Sequence, residues 1–227
     1  MPIQLHSPPN IGAKNYKIPR FKAIFKHPLK GILVHPKDAV GIVLFVHGSG
    51  SSRLSPRNQM VAGELSQAGH ATLLFDLLTE EEEEIDDQTR EFRFDIELLT
   101  KRLIEVTQFI QKYEATRGMK IGYFGASTGA VAALKAAGAL GQKVSAVVSR
   151  GGRPDLAGES LTRVIAPTLL IVGSKDTQVI AVNEQAFGEL GCEKKLELID
   201  GASHLFEENG TLVQVADFAQ KWFLKCF

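Results

Sequence analysis

One stretch restricts the possible folds of this chain more than any other: an apolar run at residues 120–124, a Gly-x-Ser-x-Gly pattern centred on Ser127, and an alanine-rich run at 130–137. The apolar run favours a buried strand and the alanine-rich run favours a helix. A strand that enters a helix through this pattern holds the serine at the apex of a sharp turn, and the two glycines allow close approach. The stretch therefore predicts an exposed, nucleophilic hydroxyl at Ser127, the alternative being a small residue in a tight turn.

Short apolar segments alternate with helix-forming segments along the rest of the chain. Further strands are predicted at residues 21–25, 31–34, 41–46, 71–75, 144–148, 168–172 and 196–199, and further helices at 55–68, 92–116, 179–190 and 211–224. This alternation indicates an α/β fold with a mostly parallel, doubly wound sheet flanked by helices. The first two strands are expected to form an antiparallel N-terminal edge. No repeat or linker is visible, so residues 1–227 are expected to form one domain.

The composition gives no support for several classes of function. The 227 residues include 26 basic and 26 acidic side chains, and this balance gives no argument for a nucleic-acid or membrane partner. No signal-peptide pattern and no apolar run of about 20 residues is present, which predicts a cytoplasmic protein. Cys192 and Cys226 are expected to be reduced thiols. No spacing typical of metal ligands occurs, so neither a metal nor a cofactor is expected.

Three residues that follow predicted strands suggest nucleophilic catalysis. In a parallel sheet, side chains beyond the carboxyl ends of the strands meet at one edge. Ser127, Asp176 and His204 are predicted there as nucleophile, orienting acid and general base. Asp155 is an alternative acid one strand earlier, and Asp200 is interpreted as a turn residue.

The backbone N–H groups of Thr128 and Ser49 are predicted to stabilise the oxyanion. Thr128 follows the nucleophile, and Ser49 lies in the glycine-rich loop after the strand at 41–46. His47, in the same loop, is interpreted as structural.

These motifs resemble the α/β-hydrolase superfamily, over roughly residues 20–225. The compact length and the segments 149–155 and 166–170 resemble its dienelactone-hydrolase-like branch. Dienelactone hydrolases use a cysteine nucleophile, whereas position 127 is serine, so a dienelactone substrate is not implied. The resemblance also includes relatives joined to phosphoribosyltransferase domains, which makes a phosphorylated or anionic substrate worth testing.

Four arginines near the predicted site have two alternative roles. Arg53, Arg57, Arg150 and Arg153 could bind a carboxylate or phosphate of the substrate, or could pair with Asp76, Asp155 or the glutamates at 80–84. The glutamate run itself is predicted to be a solvated loop or a frayed helix start.

The resulting hypothesis is a serine hydrolase, a monomer or homodimer, that cleaves a small ester, thioester or lactone through an acyl-serine intermediate. Acyl transfer to an alcohol or amine, and a non-catalytic binding module with the same fold, are the alternatives. The sequence does not define the acyl group.

Overall fold

Eight strands form one sheet in the computed structural model, which describes the main chain of residues 14–16 and all of residues 29–227. The strands are β1 (Lys14–Tyr16), β2 (Gly31–His35), β3 (Gly41–Val46), β4 (Ala71–Phe75), β5 (Lys120–Ala126), β6 (Ala146–Arg150), β7 (Thr168–Gly173) and β8 (Lys194–Ile199). Their order is β1-β2-β4-β3-β5-β6-β7-β8. β2 runs antiparallel to both of its neighbours, and all other pairs are parallel. The predicted mostly parallel sheet with an antiparallel edge is confirmed.

Six α-helices of the described residues flank this sheet. They are α1 (Pro56–Gln67), α2 (Glu80–Thr89), α3 (Ile96–Lys112), α4 (Thr128–Leu140), α5 (Thr177–Glu189) and α6 (Thr211–Cys226). Apolar residues of α1 and α6 pack on one face of the sheet, and those of α3 and α4 pack on the other. The central strands are therefore covered on both sides.

β3 shows how the helices on the two faces of the sheet determine the sequence of a central strand. All six of its residues are buried. Val43 and Phe45 pack in the cluster with α1 and α6, whereas Ile42, Leu44 and Val46 pack in the cluster with α3 and α4. Alternate side chains point to opposite faces of a strand, so an unbroken apolar run is what a doubly covered strand requires.

The glutamate run is an ordered helix, and the predicted loop or frayed start is wrong. Glu80–Glu84 form the first half of α2, whose N-cap is Thr79. The Thr79 hydroxyl accepts from the Glu82 N–H at 3.2 Å, and the Glu82 carboxylate accepts from the Thr79 N–H at 2.9 Å. This capping box and the attraction of carboxylates to a helix N-terminus outweigh the repulsion along the run.

Other element boundaries differ from the sequence-based expectation in modest ways. α1 begins at Pro56, with Ser55 as its N-cap, close to the predicted start. α3 is shorter than the predicted 92–116 at both ends: it begins after the N-cap Asp95 and ends at Lys112. β6 begins later than predicted and includes Arg150. A 3-10 helical segment, Pro154–Arg163, was not predicted, and the strand predicted at 21–25 lies outside the described residues.

Two further expectations concern membranes and cysteines. Among the described residues, no helix has the length and apolarity that crossing a bilayer requires. Cys192 and Cys226 are both half-buried, and neither is in a disulfide bond.

Candidate active site

Ser127 lies between β5 and α4 in a conformation that few non-glycine residues adopt. Its φ and ψ angles are 50° and −121°. The Ser127 N–H donates to the Arg150 carbonyl of β6 at 3.1 Å, and the Ser127 carbonyl accepts from the Ala130 N–H at 3.1 Å. These bonds hold the strained backbone, so the serine is presented at the N-terminus of α4 as the sequence predicts.

The two glycines of the pattern are required by close packing around this turn. A Cβ atom at Gly125 would lie 2.5 Å from the Ala130 Cα atom, and one at Gly129 would lie 2.1 Å from the Val46 carbonyl oxygen. No side chain fits at either distance. The glycines therefore allow α4 to start directly against the ends of β3 and β5.

His204 and Asp176 meet although 28 residues separate them. The His204 Nδ1–H donates to Asp176 Oδ2 at 2.6 Å, which is short for such a bond. Asp176 follows β7 and His204 follows β8, and the Lys175 N–H donates to the Ala202 carbonyl at 2.9 Å, which joins the two loops. A carboxylate on Nδ1 leaves Nε2 as the nitrogen that can accept a proton.

Asp155, the alternative acid, is bound to an arginine. Asp155 receives two hydrogen bonds from Arg153, from Nε at 2.9 Å and from Nη2 at 2.6 Å. Asp200 is exposed. The structure thus brings Asp176, rather than Asp155, to His204.

The loop after β6 connects the histidine to the serine turn. A Cβ atom at Gly151 would lie 3.5 Å from both the Nδ1 and the Cε1 atoms of His204, so the imidazole lies against this glycine. The preceding residue, Arg150, accepts the N–H of Ser127. In the described residues no hydrogen bond joins the Ser127 hydroxyl to His204. Such bonds are often long in unliganded enzymes and tighten with substrate.

The glycine-rich loop after β3 lies directly against Ser127, as predicted for an oxyanion site. A Cβ atom at Gly48 would lie 3.1 Å from the Ser127 Cβ atom. The Thr128 N–H is in the first turn of α4, where it has no partner within the helix. The Ser49 N–H, however, donates to the Thr128 hydroxyl at 2.8 Å, so this second predicted donor is occupied in the structure.

His47 has the structural role that the sequence suggests. Its Nε2 accepts from the Leu77 N–H at 3.0 Å, and its Nδ1 lies 3.0 Å from the Gly48 carbonyl, to which it donates. Burial lowers the pKa of His47 below 6.5, more than the Gly48 carbonyl and Asp76 raise it. A neutral imidazole therefore ties the loop to the end of β4.

The structure separates the four arginines by their partners. Arg53 pairs with Asp76 through its side chain and its N–H, and Arg153 pairs with Asp155. Arg57 donates from Nη1 to Glu207 at 3.0 Å. Arg150 is only 7% exposed, and its Nε and Nη1 atoms have no partner in the described part of the chain.

Two other features of this region were not predicted. Phe206 follows His204 by two residues with a φ of 56°, and the Arg150 Cζ atom lies 5.9 Å from the Phe206 ring centroid. No local sequence signal marks a phenylalanine with positive φ. A cavity of about 130 Å³ beside the loop at 47–52 is lined by neither Ser127, Asp176 nor His204. In the described residues, no group of histidine, cysteine and acidic side chains could hold a metal ion.

Comparisons with known proteins agree with this fold. Residues 29–223 match the dienelactone hydrolase family. A crystal structure of a dienelactone hydrolase from Anabaena variabilis is 55% identical, with a TM-score of 0.92, and the match covers 95% of this chain and 99% of that one. An esterase from Pyrococcus furiosus is 14% identical, with a TM-score of 0.72 and 99% and 96% coverage, which shows a shared fold.

Two curated relatives from Mycobacterium tuberculosis strains are longer than this chain. Each is 55% identical over 197 residues, which is 87% of this chain and 44% of the relative. Both are provisionally named phosphoribosyl transferases. The chain thus spans less than half the length of these relatives. With the family match over most of its length, it is an α/β-hydrolase that belongs to the dienelactone hydrolase family.

Proposed function

We propose that this protein is a serine hydrolase that cleaves a small ester, thioester or lactone through an acyl-Ser127 intermediate. The observation that carries the proposal is the 2.6 Å hydrogen bond from His204 to Asp176, beside a serine held at a φ of 50°. A strained serine at a helix N-terminus has no structural advantage over glycine. A nucleophile that must project from a sheet edge explains it.

In the proposed reaction, Nε2 of His204 accepts the proton of the Ser127 hydroxyl as the oxygen attacks the carbonyl carbon of the substrate. Asp176 holds the Nδ1–H and stabilises the imidazolium that forms. The tetrahedral intermediate collapses, and His204 returns the proton to the leaving alcohol or thiol. Water then attacks the acyl-serine with the same histidine as base, which releases the acid and restores the hydroxyl.

The Thr128 N–H is the proposed first oxyanion donor. The second donor requires a choice, because the Ser49 N–H is bound to the Thr128 hydroxyl. Either the Thr128 side chain turns away and releases the Ser49 N–H, or the hydroxyl keeps this bond and donates its own proton to the oxyanion. Thr128→Val separates the two: a lowered kcat supports the hydroxyl as donor, and an unchanged or raised kcat supports Ser49.

Active-site labelling tests the proposal. A fluorophosphonate probe is expected to label Ser127 in the wild type, with no labelling in Ser127→Ala and strongly slowed labelling in His204→Ala. Ser145→Ala, which changes a serine before β6 at the opposite edge of the sheet, is the matched control and should label normally. A folded wild-type protein without labelling would contradict the proposal and favour a non-catalytic binding module.

Acyl transfer is separated from hydrolysis by product analysis with added alcohol or amine acceptors. The phosphoribosyl transferase name belongs to the longer relatives, of whose length this chain matches less than half.

A further inference from the structure

Arg150 is a buried cation that has no counterion among the described residues. It is 7% exposed, and no carboxylate of the described residues forms an ion pair with it. Its Nε and Nη1 atoms have no hydrogen-bond partner there either. Burial, and then repulsion by Arg57, lowers the pKa of Arg150 to about 10, so the group stays charged at neutral pH. Buried charges in proteins are normally paired, so this one is an exception that needs a reason.

Arg57 adds a second positive charge near the first. Its Nε atom is buried and has no hydrogen-bond partner in the part of the chain that the structure describes, and its Nη1 donates to Glu207, whose side chain is 63% exposed. An exposed ion pair of this kind contributes little and is easily exchanged for another anion. Arg53 and Arg153 differ from this pair, because each is bound by an aspartate that is at least four-fifths buried.

Phe206 holds the Arg150 side chain in place at an energetic cost to its own backbone. Its φ of 56° is unusual for a bulky residue, and its fully buried ring faces the guanidinium at 5.9 Å. Because Phe206 follows His204 by two residues, the strain is stored in the catalytic loop. Strained residues that survive in folded proteins cluster at functional sites.

The location links this pair to the proposed chemistry. Arg150 is the last residue of β6, and its carbonyl accepts the N–H of Ser127. Arg57 is in the first turn of α1, which follows the proposed oxyanion loop. Both guanidinium groups thus extend from elements at the same sheet edge as the nucleophile.

We propose that Arg150 and Arg57 form a subsite for an oxyanion group, a phosphate or a carboxylate, on the ester that Ser127 attacks. The inference rests on the proposed function for its link to catalysis. Of these two guanidinium groups only Arg57 has a carboxylate partner among the described residues, the exposed Glu207, which leaves a surplus of positive charge. A doubly charged phosphate balances this surplus better than a singly charged carboxylate, and both fit the planar fork of arginine.

Binding is tested without catalysis, in the Ser127→Ala protein. Inorganic phosphate and acetate are titrated by calorimetry at constant ionic strength, with Arg150→Met, Arg150→Lys and Arg57→Gln added separately. We expect phosphate to bind more tightly than acetate, and each arginine change to weaken phosphate binding about ten- to a hundredfold. Arg163→Gln removes the same charge at the far end of the 3-10 segment, and should change binding less than about twofold.

Kinetics then test the link to the substrate. Para-nitrophenyl hexanoate is compared with the same ester carrying a carboxylate or a phosphate at the far end of its acyl chain. We expect kcat/KM to be higher for the anionic esters than for the neutral ester in the wild type and in Arg163→Gln, and this ratio to fall to about one in Arg57→Gln and Arg150→Met. If Arg150→Met does not fold, Arg57→Gln, whose side chain is 35% exposed, carries the test.

The outcomes separate the two proposals. Normal cleavage of the neutral ester, without anion binding and without a preference for anionic esters, would overturn the subsite and leave the hydrolase. Anion binding that needs both arginines in a protein that cleaves no ester would support the subsite and refute the hydrolase. Stronger binding of acetate than of phosphate would assign the subsite to carboxylates. Loss of binding in Arg163→Gln as well would show a diffuse charge effect and overturn it.

Discussion

His70 is predicted to make the fold sensitive to acid. It is 0% exposed, neither ring nitrogen has a partner in the described residues, and the rings of Phe223 and Phe227 lie at centroid distances of 6.2 and 5.5 Å. Burial lowers the pKa of His70 below 6.5. Below that pH the unfolded chain binds a proton at this position and the folded chain does not. The free energy of unfolding therefore falls as the pH decreases from 6.5 towards the folded-state pKa.

The size of this change in the free energy of unfolding follows from the binding of one proton. A difference of one bound proton corresponds to about 1.4 kcal/mol per pH unit. Between about pH 7.5 and about pH 5.5, His70 can thus remove up to about 1.4 kcal/mol, about three quarters of it below pH 6.5. His70→Leu removes this loss. The substitution should not lower stability at about pH 7.5 by more than about 1 kcal/mol, because leucine has a similar volume and no buried N–H group.

The assay is urea unfolding of wild type and His70→Leu at both pH values, followed by circular dichroism. The variant is expected to gain stability relative to wild type on acidification. Val61→Ala truncates a buried side chain in the core cluster that includes Phe223. It is the control, and it should lower the free energy of unfolding by the same amount at both pH values. His47 is present in all three proteins, so its contribution to the pH dependence cancels in the comparison. An equal pH dependence in wild type and His70→Leu would refute the reasoning.

Three further predictions concern strain, orientation and capping. Ser127→Gly should abolish activity but raise the free energy of unfolding by about 1 kcal/mol in urea denaturation, because glycine tolerates the positive φ. Ser127→Ala keeps the strain and should show no such gain. Asp176→Asn should lower kcat for activated esters about 10⁴-fold with an unchanged circular dichroism spectrum, and a loss below tenfold would mean that His204 has another orienting group. Thr79→Ala removes the capping box with Glu82 and should cost about 1 kcal/mol; equal urea midpoints would contradict the cap.

The positions of the three proposed catalytic residues were predictable from sequence, because each depends on the local order of strand and loop. Ser127, Asp176 and His204 each follow an apolar strand, and parallel strands bring their carboxyl ends together. The capping box of α2 was also present in the sequence, as a threonine three residues before Glu82, but the charge of the run obscured it.

The roles of the arginines were not predictable, because their partners are distant in sequence. Arg57 pairs with a glutamate 150 residues away, and Arg53 with an aspartate 23 residues away. Arg150 lies against the ring of Phe206, a residue distant in sequence whose positive φ no local sequence signal predicts. The 3-10 segment was missed for another reason: short turns of this type lack a helical period in their apolar residues.

Under the proposed function, the tight contact beneath the serine turn makes the reactivity of Ser127 a sensor of the folded state. Gly129 lies so close to the Val46 carbonyl that the turn can form only when α4 is packed against the end of β3. In an unfolded chain the residue at position 127 is an ordinary, weakly nucleophilic alcohol. The extent of covalent labelling at this one hydroxyl should therefore measure the fraction of native molecules in a mixture. In a urea series, the midpoint of the loss of labelling should coincide with the midpoint of the circular dichroism transition.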